Sequence, residues 1–299
     1  MTIAENLQRI QTAKADIKTA IENKGVNVGD ITIDGYAAKI DEITVGGGGE
    51  SGLVKLPNGI SLAGSTFTGF DMNGWDWSNV YNLDSMFDNC ANLTQIIFPN
   101  NLKPLSMLYA FRNCGKLEEI DLSGVDLSNI FSLGGIFAAC ISLKKVILGN
   151  VKRVKNLGRM FESCTSLTSV DLSGVDLSEV TNMGRMFYQC QSITSIKFGS
   201  NVDNVTAMDE MFYNCNKLES IDLSGIDISK VTTFKNLFAS CIKLSEIKMK
   251  GQIKSDAILT SMFLGLPNTG VLYYDERYDY SSILSLLPLG WTSIPTTFE

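Results

Sequence analysis

Histidine is absent from the sequence. That removes imidazole as a metal ligand and excludes every mechanism in which it acts as general base. Catalysis would have to use carboxylate pairs, a Ser/Lys arrangement, or cysteine without histidine. Long apolar runs are missing too. None approaches the roughly 18 residues of a membrane span, and residues 283–291 are interrupted by Ser285 and Pro288. The opening MTIAENLQRIQTAK lacks a basic segment followed by an apolar one, so no secretory signal is visible. Synthesis in a cytoplasm without export by the usual route is expected. Positive charge is in deficit: 25 Lys and Arg against 32 Asp and Glu leave a net charge of −7. A phosphate backbone or an anionic membrane is therefore a poor partner. No nucleic-acid binding and no membrane insertion are expected.

What the sequence does hold is repetition. Residues 167–190, LTSVDLSGVDLSEVTNMGRMFYQC, recur nearly intact at 117–140 and 218–241. Shorter variants lie between, such as 143–164. Each unit closes on a hydrophobe, Phe, two residues and Cys. All seven cysteines are used this way: Cys90, Cys114, Cys140, Cys164, Cys190, Cys215 and Cys241, spaced by 24, 26, 24, 26, 25 and 26 residues. Such regularity implies stacked coils, since one unit cannot bury its apolar face alone whereas a stack buries it continuously. Within a coil, L-x-x-I-x-L reads as a strand and N-M-x-x-M-F-x-x-C as a helical turn on the opposite side. The fold class expected is therefore an α/β repeat solenoid. It would be a right-handed leucine-rich array of about eight coils with a parallel sheet on one face, preceded by a small helical module. An odd number of cysteines at equal pitch reads as a column of buried free thiols. Their spacing contains no C-x-x-C element, which argues against a metal.

The chain divides on composition. Residues 1–45 read as a small helical module for attachment or oligomerisation. Thr2 and Glu5 fit a capping box, Gly25 fits the stop, and Ile3, Leu7, Ile10, Ile17 and Ile21 follow heptad spacing with Lys14 in one seam position. Isoleucine at both seam positions favours three or more strands, hence a possible homotrimer. The alternative is an amphipathic helix packing on the unit that follows it. Residues 46–52 are a Gly-rich linker. Residues 53–90 form an N-terminal capping coil with Trp75 and Trp77 in place of small or aliphatic residues. Residues 91–250 are the solenoid. Residues 251–299 are a C-terminal cap, read as a strand, a short helix around 280–287 and a last strand near Trp291.

These residues carry a resemblance. C-x-x-L-x-x-I-x-L-P-x-x-L followed by A-F-x-x-C, plainest in CANLTQIIFPNNLKPLSMLYAFRNC, resembles BspA-like leucine-rich repeats. The LSGVDLSEVTNMGRMFYQC variety is similar to a long-repeat branch found in bacterial surface proteins and phage proteins. The resemblance implies adhesion and binding surfaces. The N-terminal module followed by polyglycine resembles the opening of tail and fibre proteins from phages of gut bacteria. The closing YDYSSILSLLPLGWT is similar to array ends in the same proteins.

If the strand's aliphatic residues point inward, the residue before the last Leu points outward. That column is Ile97, Asp121, Ile147, Asp171, Lys197, Asp222 and Lys248. It reads either as a neutralised exposed sheet, each pair worth about 0–1 kcal/mol, or as a ligand-binding surface with Ile97 and Ile147 as apolar contacts. Asp121/Asp126, Asp171/Asp176 and Asp222/Asp227 repeat as pairs and admit calcium or glycoside hydrolysis. Recurrence in successive coils is what structure demands, and a single active site does not. Tyr188 and Tyr213 fall in register for stacking. Tyr273, Tyr274, Tyr278 and Tyr280 gather near the end, for cap packing or for protein or sugar contacts. No catalytic residue, metal or cofactor is assigned, and the protein is expected not to be an enzyme. Its leading reading is a virion structural protein of a tail, baseplate or head fibre. Residues 1–45 would hold other virion proteins, and the array would face a host surface protein or glycan. The alternatives are a bacterial adhesion or interaction protein and a glycan-degrading fibre.

Overall fold

The computed structural model describes residues 61–73, 75–199 and 202–298, with the backbone of Val54 and Lys55. The heptad positions Ile3, Leu7, Ile10, Ile17 and Ile21, the rest of the N-terminal module and the linker lie outside the described residues.

The chain is a parallel β-solenoid. Its strands are β1 (Val54–Lys55), β2 (Gly69–Asp71), β3 (Trp75–Asp76), β4 (Gln95–Ile97), β5 (Glu119–Asp121), β6 (Lys145–Ile147), β7 (Ser169–Asp171) and β8 (Ser195–Lys197). The longer β9 (Ser220–Asp227), β10 (Glu246–Lys250), β11 (Gly270–Asp275) and β12 (Trp291–Thr296) follow, with α1 (Ser281–Leu284) before the last. Every pairing is parallel. The strand, short helix and strand expected after residue 263 are β11, α1 and β12.

One phenylalanine per coil forms the spine. Phe87, Phe111, Phe137, Phe161, Phe187, Phe212, Phe238 and Phe263 stack with successive centroids 5.2–6.1 Å apart and rings within 18° of parallel. About eight coils are thus in register. Around the spine, in the coil of residues 167–190, Leu167, Leu172, Leu177, Val180, Met183, Met186 and Cys190 are buried. At the first coils Trp75 and Trp77 are buried as well, and the Trp77 indole N–H donates to the Met72 carbonyl at 2.7 Å.

The side opposite the strands corrects the sequence reading: the N-M-x-x-M-F-x-x-C segment is a ladder of turns, with no α-helix. Adjacent parallel strands sit about 4.8 Å apart, while a helix with its side chains is about 10 Å wide. One helix per coil would therefore splay the stack on that side. Instead, alternate residues serve two directions. In residues 183–190, the N–H groups of Met183, Arg185, Phe187 and Gln189 donate to the next coil, to Ala207, Asp209, Met211 and Tyr213, at 2.7–3.0 Å. Those of Met186, Tyr188 and Cys190 donate three residues back, at 3.0–3.1 Å. This alternation places two residues per coil in the left-handed region, from Ser85 and Asn89 to Ser261 and Gly265. Most of them are not glycine. Each costs on the order of 1 kcal/mol, offset by the ladder bonds that fix it on both sides.

The cysteines complete that ladder. All seven are free and buried. The thiols of Cys114, Cys140, Cys164, Cys190, Cys215 and Cys241 each donate to the carbonyl of the spine phenylalanine one coil earlier, at 2.9–3.2 Å. The position requires a small apolar side chain that still carries a donor, and cysteine meets both needs. Burial pushes the Cys140 thiol up to about 12 and raises those of Cys114, Cys164, Cys190 and Cys215.

Candidate binding face

The outward column of the strands is where the sequence placed it. Ile97, Asp121, Ile147, Asp171, Lys197 and Asp222 are exposed and Lys248 is half-buried. The parallel sheet expected on that face is divided into separate pieces. The strands pair as β2–β4, β5–β6, β7–β8 and the four-stranded β9–β10–β11–β12. In register, Asp71 meets Ile97, Asp121 meets Ile147, Asp171 meets Lys197 and Asp222 meets Lys248. Each of these pairs is 26 residues apart. The intervening steps of 24 or 25 residues, such as Ile97 to Asp121 and Lys197 to Asp222, are not laddered. The shorter coils omit residues from the turn after the strand, so the strand edges drift out of register there. Charge pairing follows the same division: Lys197 lies 3.7 Å from Asp171 and Lys248 lies 3.5 Å from Asp222. Just before the strands, Lys144 lies 2.8 Å from Glu118.

The recurring aspartates have a local task. The N–H two residues on donates to the side chain of Asp121, Asp126, Asp171, Asp176, Asp222 and Asp227 at 2.8–3.1 Å. Ser128, Ser173, Ser178 and Ser224 add their hydroxyls at 2.5–2.7 Å. These are Asx turns at two corners of every second coil, which explains the D-L-S spacing. The serine hydroxyl and N–H hold the carboxyls of Asp121, Asp126, Asp171 and Asp176 below the usual range. At Asp222 burial pushes the other way, but Ser224 and Lys248 outweigh it.

The turn face carries its own side-chain order. Tyr188 and Tyr213 stack at 4.9 Å. Arg185 sits 4.7 Å over the Tyr188 ring, 2.5 Å from Glu210 and 3.8 Å from Glu162. Asn182 donates to Asn156 at 3.1 Å across the coils. Gly158 and Gly184 keep that asparagine line close: a Cβ on either would stand 2.9 Å from the Asn182 amide or the Asp209 carboxylate.

Two features escaped the sequence reading. Tyr81, Leu105 and Phe131 are exposed in successive coils, joined by Leu105 N–H to Tyr81 O at 2.7 Å and Phe131 N–H to Leu105 O at 3.0 Å. They form an apolar stripe at a corner of the array. The other is a cleft of about 390 Å³ on the C-terminal part of the strand face, lined by Asp222, Ser224, Glu246, Lys248, Tyr273, Thr296 and Phe298. The strand register carries the outward column from Lys248 to Tyr273 and on to Ile294. Extending the column rule one coil further would have found Tyr273, but the repeat pattern decays there. Tyr280 and Tyr273 take different places. Tyr280 is buried, donates to the Gly251 carbonyl at 2.9 Å and packs 5.1 Å from Tyr274, whereas Tyr273 faces outward.

Family comparisons agree with this architecture. Residues 159–268 match the BspA type leucine rich repeat region, and residues 61–104 and 105–198 match a Mycoplasma protein family of unknown function, DUF285. Among solved structures, the chain is similar to a leucine-rich repeat protein from Bacteroides ovatus. That match has 18% identity and a TM-score of 0.37, and covers 77% of this chain and 67% of that one. It is also similar to a leucine rich cell surface protein from Faecalibacterium prausnitzii. Here identity is 19% and the TM-score 0.38, with 74% of this chain and 62% of that one covered. No curated protein matches the chain.

Proposed function

We propose that the chain is a non-catalytic adhesion and interaction protein that presents the strand face of its BspA-type array to a protein or glycan on another surface. The observation that carries this is the contrast between the two sides of each strand. Inward, the strands repeat the same aliphatic residues in coil after coil against a constant spine of phenylalanine and cysteine from the turn side. Outward, the column changes from aspartate to isoleucine, lysine and tyrosine while the backbone stays fixed. A repeat scaffold that holds its core and varies one face is a platform for recognition. Exposed Ile97 and Ile147, each beside an aspartate, supply apolar contacts within a polar rim, the usual make-up of a binding patch. The test is attachment of labelled full-length protein to bacterial cells and to a glycoprotein-coated surface. Ile97→Asp with Ile147→Asp should abolish attachment and leave the melting temperature within a few degrees. Tyr188→Ala with Tyr213→Ala, on the turn face, should leave attachment intact. The reverse pattern refutes the reading.

A second reading is motivated by the resemblance of residues 1–45 and their polyglycine sequel to phage tail and fibre openings. In it the array decorates a virion, the N-terminal module holds other virion proteins or trimerises through Ile3, Leu7, Ile10, Ile17 and Ile21, and the strand face meets the host. A trimeric full chain beside a monomeric chain starting at Leu53 supports this reading. Two monomers remove its oligomerising module.

A further inference from the structure

Building on the strand face as the contact surface, we infer that the cleft over β9–β11 is a glycan subsite taking one or two pyranose units, with Tyr273 as its stacking platform. Three observations converge there. The sheet is four strands wide at this point and two strands wide elsewhere among the described residues. It therefore offers a continuous floor. The end of β12 and the residues beyond it turn that floor into a cleft: Thr296 and Phe298 form one wall, held by Arg277, whose Nη2 donates to the Phe298 carbonyl at 3.3 Å. Along the outward column from Asp71 through Ile294, Tyr273 is the one aromatic residue.

The lining chemistry selects the ligand class. Tyr273 and Phe298 present apolar rings, and the C–H face of a pyranose packs on such rings. Around them stand short acceptors and donors: the Asp222 and Glu246 carboxylates, the Ser224 and Thr296 hydroxyls and the Lys248 ammonium. Lys248 lies 3.5 Å from Asp222, 3.8 Å from Glu246 and 6.0 Å from the Tyr273 ring centroid. One ammonium between two carboxylates leaves a single net negative charge, which alone is a weak hold on a Lys- and Arg-rich peptide. It leaves an ordered row of hydrogen-bonding groups beside an aromatic surface, which suits vicinal hydroxyls. A volume near 390 Å³ falls at the small end of ligand sites. The cleft is open to solvent, so it admits a unit within a longer chain as readily as a free sugar.

Saturation-transfer NMR on the full chain tests this, with methyl glycosides of glucose, galactose, mannose and N-acetylglucosamine and their β-linked disaccharides as probes. At least one probe should receive transfer. Tyr273→Ala and Phe298→Ala should each weaken it about tenfold, as expected for loss of one aromatic contact in a weak site. Asp222→Asn should weaken it while the fold, read by circular dichroism, stays unchanged. Transfer that survives Tyr273→Ala overturns the assignment, as does absence of transfer from every probe. A Lys- and Arg-rich peptide bound in a Tyr273-dependent way, with no sugar bound, also overturns it, in favour of a cationic protein partner. These outcomes separate from those of the broader reading. If the Ile97 and Ile147 variants abolish attachment but no sugar binds, the strand face stands as a contact surface and the glycan subsite falls.

Discussion

Replacing Phe187 by alanine removes the middle of the phenylalanine spine. Phe187 is fully buried, stacks on Phe161 at 5.6 Å and on Phe212 at 5.9 Å, and meets the edge of Phe198 at 6.4 Å. A buried Phe→Ala change costs about 3–5 kcal/mol from lost transfer energy and the cavity left behind. Loss of two stacked partners places Phe187→Ala toward the upper end, since each ring pair adds about 0.5–1.5 kcal/mol. Phe263 is the matched control at the array's end. It stacks on Phe238 alone, at 6.1 Å, and is slightly exposed, so its loss should cost about 3 kcal/mol or less. The two variants should differ in kind as well as size. Stability in a solenoid is close to a sum of coil and nearest-neighbour contributions, so weakening two adjacent interfaces in the centre uncouples the halves. Urea unfolding followed by far-ultraviolet circular dichroism should show Phe187→Ala lowering the midpoint by roughly 1 M or more and broadening the transition. Phe263→Ala should shift the midpoint less and keep the slope. Equal costs, or a sharp single transition for Phe187→Ala, would refute a nearest-neighbour stack.

Two further outcomes follow from the turn ladder and its corners. Ala139 has φ of 59°, so Ala139→Gly should stabilise the protein by about 0.5–1 kcal/mol. Gly135→Ala, at φ of 58° and with its Cβ 2.2 Å from the Tyr109 ring, should destabilise it; thermal melts of the two variants read both signs. The corner aspartates set the acid response. Asp121, Asp126, Asp171 and Asp176 titrate lower in the fold than in the unfolded chain. Their contribution is fully present above the unfolded carboxylate range and is lost as pH falls through the lowered values. Stability measured by urea unfolding should therefore be level from pH 7 to about 5 and decline below about 4. A curve that stays level to pH 3 would show that the Asx turns contribute nothing.

Much of this was legible because repeats state the same constraint many times. The inward column, the buried free cysteines and the outward column from Ile97 to Lys248 all follow from aligning one coil on the next. The turn side was misread because M-x-x-M-F-x-x-C has helical spacing, and spacing alone cannot separate a helix from a ladder of three-residue turns. The deciding fact is the common pitch imposed by the strands. Register along the column was not legible for a related reason: the column rule assumes equal coils, whereas coils of 24 or 25 residues alternate with coils of 26. Tyr273 was legible only as one of a cluster of four tyrosines and Phe298 not at all, because both stand after Phe263, where no copy of the motif remains to place them on the outward column. Tyr81, Leu105 and Phe131 lie at a variable position within otherwise regular coils, so nothing in the repeat marked them as a stripe.

The most direct measurement is a thiol footprint of the attached protein. The seven native cysteines are buried, so one introduced surface cysteine reports alone. Lys197→Cys reports the strand face and Tyr188→Cys the turn face, each in the full-length chain. Maleimide labelling is compared free in solution and after attachment to the cells or glycoprotein surface that the protein binds. If the strand face makes the contact, Lys197→Cys becomes protected on attachment and Tyr188→Cys labels at its free rate. Protection of Tyr188→Cys with Lys197→Cys left reactive would contradict that claim and move the binding surface to the turn ladder.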